Sequence, residues 1–298
     1  MQRLERTSLK SNGPLGASAA GAALFSRARA KTVLIASVFL ALLPLFTSVP
    51  ARAANIGWDG VGCGNSNWYC AANWSSNSVP TAADTVTINV NLANVVVNAS
   101  SPTISFSSLT LGGITNNIVA LTVSTNISGG GALAIYKNAG LTSGTSQQHV
   151  LGSVTMYSGS SMTHLTNTTV SSNTLNIRIA GGSSVFDLQA GATITVNGKG
   201  YRGGTCTAGT RDGAGPEGGT GGTVGTAAGG AGAGYGGSGG NSGVAGGATY
   251  GSLHQPNDLG SGGGGCFGAV GLGGAGGGLV MIVMDAGGIF RLNGAINA

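Results

Sequence analysis

The chain has 298 residues, 58 of them glycine, with 13 Lys+Arg against 8 Asp+Glu. Seven of the basic residues and one acidic residue, Glu5, precede Ala54, so the remainder carries 6 basic and 7 acidic side chains. No basic patch is left to neutralise phosphates, which excludes a nucleic-acid partner; the abundance of Val, Ile and Thr excludes a wholly disordered chain.

Residues 1–53 have the layout of a cleavable secretory signal. Arg3, Arg6, Lys10, Arg27, Arg29 and Lys31 form a basic region, and an apolar run follows from Val33 to Phe46. The small-residue triplet Ala51-Arg52-Ala53 predicts cleavage before Ala54. A retained anchor is the rival reading, but a spanning helix needs about 20 apolar residues, and this run is shorter and carries Pro44. The mature chain is therefore expected to be extracytoplasmic, secreted or at the cell surface, and not membrane-spanning. The basic region is unusually long, which leaves two readings, a start codon further downstream or a genuine extension.

Residues 54–82 hold Trp58, Trp68 and Trp74, the three tryptophans of the chain, with Cys63 and Cys70 among them. Two readings follow: a hydrophobic, disulfide-stapled cap over the end of a repetitive fold, or an aromatic platform on which Trp68 and Trp74 bind sugars. The cap is favoured. An exported chain with four cysteines points to disulfides, and four allow three pairings. The preferred pairing is Cys63–Cys70, closing a short loop, and Cys206–Cys266, bracketing a glycine-rich region. No C-x-x-C is present and the three histidines are dispersed, so no metal or other cofactor is expected.

Residues 83–200 read as a string of short strands. TVTINV, NVVVNA, NIVALTV, TLNIRIA and TITVN alternate apolar residues with Ser, Thr or Asn, the period-two pattern of a half-buried strand. Gly, Asn and Ser clusters between them make turns. A sandwich and a solenoid both fit. Val154, Leu175 and Ile194 begin comparable strands at intervals of about 20 residues, a period that suits one coil of a right-handed parallel β-helix.

Residues 201–277 change character. Glycine is by far the commonest residue from Tyr201 to Val280, at a density usual for flexible linkers. Counting in threes from Gly219 to Gly246, however, eight of ten positions are Gly. Three residues per turn is the period of a polyproline II helix, so a polyglycine-II-like bundle is expected, with backbones packed side by side. Residues 278–298 then return to strand patterning, and GGIFRLNGAI (287–296) echoes GATITVNGKG (191–200). The simplest account is an excursion from the solenoid followed by another coil. The chain stops just after it without an evident cap, so a fragment of a longer protein, or an end covered by a partner, is expected.

The segment W-D-G…A-N-W-S…V-P…D-T-V-T-I resembles the start of β-helical passenger regions in bacterial surface and autotransporter-type proteins. The stretch from NGKGYRGG to GGAGGGLVMI is similar to glycine-rich segments of large bacterial exported repeat proteins. The resemblance implies a surface-displayed structural or adhesin-like solenoid whose partners are surface glycans or envelope components, and it implies no catalytic residues. Autotransporters end in a membrane barrel, and neither a barrel nor a sorting motif is legible here.

Motifs for chemistry are weak. Matches to G-x-G-x-x-G at Gly213, Gly215 and Gly218 lack the strand and helix a dinucleotide needs. The loop YGSLHQPNDLGS places Tyr250, Ser252, His254 and Asp258 together and hints at acid–base chemistry or a ligand-binding tip; the stronger reading is a plain turn, because His, Asn, Asp and Pro are ordinary turn formers. A carbohydrate-active enzyme is the alternative, requiring paired carboxylates that folding would have to assemble around Asp187 or Asp285. A Thr-rich face binding carbohydrate or ice is a third reading.

Overall fold

The computed structural model describes residues 53–223, 229–252, 254–267 and 271–298, which belong to one compact unit, Ala51–Ala298. The expected leader, apart from Ala53, lies outside the described residues.

Among the described residues, sixteen short strands are joined into three sheets in which every strand-to-strand pairing is parallel. The chain begins with β1 (Asn55–Gly57) and then makes successive rounds. The first holds β2 (Thr85–Ile88) and β3 (Ala93–Val97); the second β4 (Ser108–Leu111) and β5 (Val119–Val123). The third holds β6 (Ala132–Ile135), β7 (Ala139–Ser143) and β8 (His149–Leu151). The fourth holds β9 (Ser153–Met156), β10 (Ser161–His164) and β11 (Leu175–Ile179). The fifth holds β12 (Val185–Leu188), β13 (Thr193–Thr195) and β14 (Val280–Met284), before β15 (Ile289–Leu292) and β16 (Ala295–Asn297). Sheet I takes the first strand of each round, sheet II the second and sheet III the third. In the first two rounds the third side is reduced to a single parallel bridge, Ile104 to Ile127.

Alternation decides which residues face inward. Leu109, Leu133, Val154 and Phe186 are in register on sheet I, and Leu121, Leu141, Met162 and Ile194 run in step on sheet II. All eight are fully or almost fully buried. Because side chains alternate faces along a strand, the intervening Thr, Ser and Asn point out. Each round therefore buries its inner face only against its neighbours.

The spacing argument was drawn from residues that do not repeat from round to round. Val154, Leu175 and Ile194 lie on three different sheets, so their intervals do not measure a round. Register partners do. Leu133 pairs with Val154 and Val154 with Phe186, so the second of these rounds is much the longer. Much of the added length sits at one corner, between sheets II and III, although the link from sheet III back to sheet I also grows, from residue 152 alone to 180–184. Between sheets II and III the link grows from 144–148 to 165–174 and then to 196–279, which carries the glycine-rich segment. Strands on all three sheets share the same alternating pattern, so sequence periodicity cannot assign them to a sheet.

That corner also buries polar groups. Asn167 donates to the carbonyls of Asn173 (2.8 Å) and Lys199 (2.9 Å) and accepts from the amides of Ser172 and Asn173 (2.8 Å each), which fixes the 165–174 link. His164 accepts from the Leu279 amide through Nε2 (3.2 Å), while its Nδ1 lies 2.7 Å from the Leu165 carbonyl. It thus ties down the point where the chain returns to the sheets, and burial lowers its pKa.

Candidate functional site

The glycine-rich segment has no strand or helix among its described residues, yet its backbone is paired. Gly260 and Gly263 donate to the carbonyls of Gly277 and Gly274, Gly262 and Gly265 to Ala214 and Arg211, and Gly264 to Ala231. Successive donors turn to different neighbours and come back to the same one every third residue. Glycine is required by contact: a Cβ on Gly203 would overlap the Gly273 carbonyl, one on Gly213 the Gly262 carbonyl, and one on Gly262 the Arg202 carbonyl. The Cys206–Cys266 disulfide joins two of these segments, and Cys63–Cys70 closes the loop in the cap, both as expected.

The loop singled out in the sequence is placed on this segment. Tyr250 packs edge-on against Tyr235 (5.0 Å between centroids), donates to the Leu259 carbonyl and accepts from Ser261 Oγ (2.9 Å). Burial raises its pKa, and its hydroxyl is already engaged, so Tyr250 supports the loop. His254 is exposed, and Ser252 Oγ accepts from the Gln255 amide (3.1 Å). No hydrogen bond joins Ser252, His254 and Asp258 among the described residues. Asp258 lines a cleft of about 370 Å³ with Tyr235, Pro256, Leu279 and Val280.

The cap holds the second cleft. Here the three tryptophans pack on one another: Trp74 meets Trp58 and Trp68 edge-on, at 4.9 and 4.8 Å between centroids. Trp74 Nε1 donates to the Trp68 carbonyl (2.7 Å). Trp68 is 1% and Trp74 0% exposed, so neither presents a ring face to a sugar; the aromatic-platform reading gives way to the cap. The segment joins the sheets directly, because β1 pairs with β2 and the Trp68 amide bonds to the Val96 carbonyl (3.0 Å).

Beside this cluster lies a polar pocket of about 210 Å³, lined by Trp58, Asp59, Asn65, Asn91, Leu92 and Asn94 among others. Trp58 is 7% exposed, and its Nε1–H has no hydrogen-bond partner among the described residues. Gly60, at φ +68°, leaves that N–H uncovered, since a Cβ there would sit 2.8 Å from it. The other polar groups are held by main-chain amides: Val61 on Asp59 (3.4 Å), Asn67 on Asn65 (3.0 Å) and Ile118 on Asn91 (3.1 Å). Each keeps further donor or acceptor capacity.

Leu92 forms the rim. It lies at φ +62° and is 71% exposed. Among the described residues the other non-glycine residues at positive φ are Asn77, Asn116 and Asn138, a type that adopts this conformation readily, whereas leucine does so at a cost. An exposed leucine held in a strained turn is unexplained by packing and is the kind of outlier that clusters at binding sites. Sequence reasoning missed these residues, which come from the turn 59–66 and from the turn before β3 together with that strand's first residues, Ala93 and Asn94.

The remaining acids do not assemble. Asp285 forms an ion pair with Arg178 (2.9 Å), which lowers its pKa, and Asp187 accepts from Gln189 (3.3 Å). Among the described residues no three His, Cys, Asp or Glu side chains come together as a metal-holding group, and no helix is long and apolar enough to cross a membrane. Comparison of the chain with family models, curated proteins and solved structures gives no match.

Proposed function

We propose that the chain is an extracytoplasmic surface protein with a structural and adhesive role and no catalytic activity. We read it as a right-handed parallel β-helix with a polyglycine-II-like bundle inserted at one corner. Support for the β-helix comes from parallel sheets visited in a fixed order. The three-residue return of the backbone donors supports the bundle. The two disulfides fit an oxidising, extracytoplasmic compartment, in line with the resemblance to autotransporter-type surface proteins.

The ligand class follows from the cap pocket, lined by Trp58, whose indole N–H bonds to no other group among the described residues, with Asp59, Asn65, Asn91 and Asn94; this lining is the observation that carries the reading. A sugar offers neighbouring hydroxyls that both donate and accept, and amide and carboxylate side chains match them. Val90 and Leu92, exposed at the rim, offer an apolar ledge for a sugar's C–H face. A single carboxylate is too little charge for a calcium cage, and no Lys or Arg lines the pocket to hold an anion. The Asp258 cleft is the competing site.

The experiment is a glycan microarray of hexose-, N-acetylhexosamine- and sialic-acid-terminated chains, probed with the secreted protein. Asn94→Ala and Leu92→Gly are expected to lose the signal, and Asp258→Ala to keep it. Loss only with Asp258→Ala would move the site to the glycine-rich cleft; no signal on any glycan would refute the adhesive reading.

A further inference from the structure

Asp84 is 5% exposed and carries three hydrogen bonds. The Ala54 amide donates to Oδ1 (2.9 Å), and the Thr81 amide and hydroxyl donate to Oδ2 (2.8 Å each). Its own amide bonds to the Thr81 carbonyl, and its carbonyl accepts from the Ser107 amide (2.9 Å), so its position is fixed from both sides. Burial raises its pKa, but the bonds from Thr81 and Ala54 outweigh this and hold it low. It is therefore a carboxylate, yet no Lys, Arg or His pairs with it among the described residues. All three donors are neutral, and a buried charge without a counter-charge is costly.

One of those donors is the nitrogen at which the leader is expected to be cut. We propose that cleavage of the Ala53–Ala54 bond supplies the missing cation, and that the new Ala54 α-ammonium pairs with Asp84 to lock the first strand of the cap. The reaction is a hydrolysis by a signal-peptidase-class enzyme. Water adds across the amide, Ala53 leaves as a carboxylate, and the freed Ala54 amine takes up a proton. An α-amine has an ordinary pKa of about 8, so beside a carboxylate it is charged at neutral pH. The nitrogen already lies within hydrogen-bonding distance, and a neutral hydrogen bond becomes a charge-assisted one. Ala54 is packed against the core, its carbonyl accepts from the Thr85 amide (2.9 Å), and β1 starts at the next residue. The pair thus pins the edge of sheet I at the position where processing leaves a new chain end. Maturation and the last step of cap folding become one event.

This inference rests on the export reading, and the test separates the two. Mass spectrometry and N-terminal sequencing of the exported protein are expected to give Ala54 as its first residue. Urea unfolding then compares chains beginning at Ala54 with chains that retain Ala53, in the Asp84 and Asp84→Asn backgrounds. Retaining Ala53 is expected to lower the folding equilibrium constant about tenfold with Asp84 present, and to have no effect with Asp84→Asn. Should Asp84→Asn fail to fold, the rate of amine acylation at Ala54 replaces it: a paired ammonium reacts more slowly in the folded chain than in urea. Equal costs in both backgrounds, equal acylation rates, or a different first residue would overturn the inference. An uncleaved leader on a protein that stays inside the cell would remove the export reading as well.

Discussion

Acid is expected to weaken the fold through His149 in a defined window. This side chain is 1% exposed and faces inward on sheet III, where it pairs in register with Ile177. Nδ1 accepts from the Ile127 amide (3.1 Å), so the proton must sit on Nε2, which is 2.9 Å from Ser143 Oγ; that hydroxyl donates on to the Thr145 carbonyl (3.2 Å). A second proton would set an N–H against the Ile127 N–H. Burial lowers the pKa from 6.5 to about 4. The unfolded chain thus gains a proton near pH 6.5 that the folded chain refuses until about pH 4, and stability is lost as pH falls between those values. The slope is about 1.4 kcal/mol per pH unit, so by pH 4 the loss approaches about 3 kcal/mol. Below that pH His149 contributes no further change. Urea unfolding at 25 °C from pH 7.5 to 4 measures it, with His149→Gln as the reference. The variant starts less stable but its curve is flatter by one proton. His164, whose pKa is also lowered, keeps some slope in both. Equal slopes for wild type and variant would refute the tautomer and burial argument.

Other expected outcomes concern the glycine-rich segment and the core. Gly262→Ala places a methyl on the Arg202 carbonyl, whereas Gly274→Ala enters open space; the first should cost more than about 2 kcal/mol and the second less than about 0.5 kcal/mol, read by thermal unfolding. Replacing both Cys206 and Cys266 by serine opens a bridge of sequence separation 60. It should cost up to about 4 kcal/mol, with loss of amide protection at Gly262–Gly265. Leu121→Ala, at a fully buried position on β5, should cost about 3 kcal/mol in chemical denaturation.

What was legible in the sequence was local. Alternation marked the strands because the inner face of the rounds is mostly apolar, and the tryptophan-rich cap announced itself by composition. The three-residue glycine period was informative but uneven. Gly234 and Gly237 stand in the same frame, yet only Gly234 abuts a carbonyl, that of Ala248. Turns such as 241–246 interrupt the packed stretches, so a single frame cannot run the whole length. The corner at which links lengthen was not legible, because nothing in one strand says which sheet it joins. Nor was the cap pocket, since Asn91 is an ordinary turn residue and Asn94 an outward-facing strand residue until Asp59 and Trp58 are brought beside them. The Leu92 strain has no sequence signature at all. Asp84 stood in the D-T-V-T-I stretch as one more acid, and only its burial beside Ala54 gives it a role.

The claim on which most rests is that the glycine-rich segment is an ordered module, packed backbone to backbone and fixed to the sheets at His164 and Leu279. Amide hydrogen exchange on the mature protein tests it most directly. The structure predicts slow exchange at Gly204, Gly213, Gly219, Gly260, Gly262, Gly263, Gly264 and Gly265, each of which donates to another backbone segment. Gly237 and Gly274, whose amides donate to no backbone carbonyl among the described residues, should exchange faster. Uniformly fast exchange from Gly203 to Gly277 would contradict the account and leave a flexible insertion on a stack of parallel sheets.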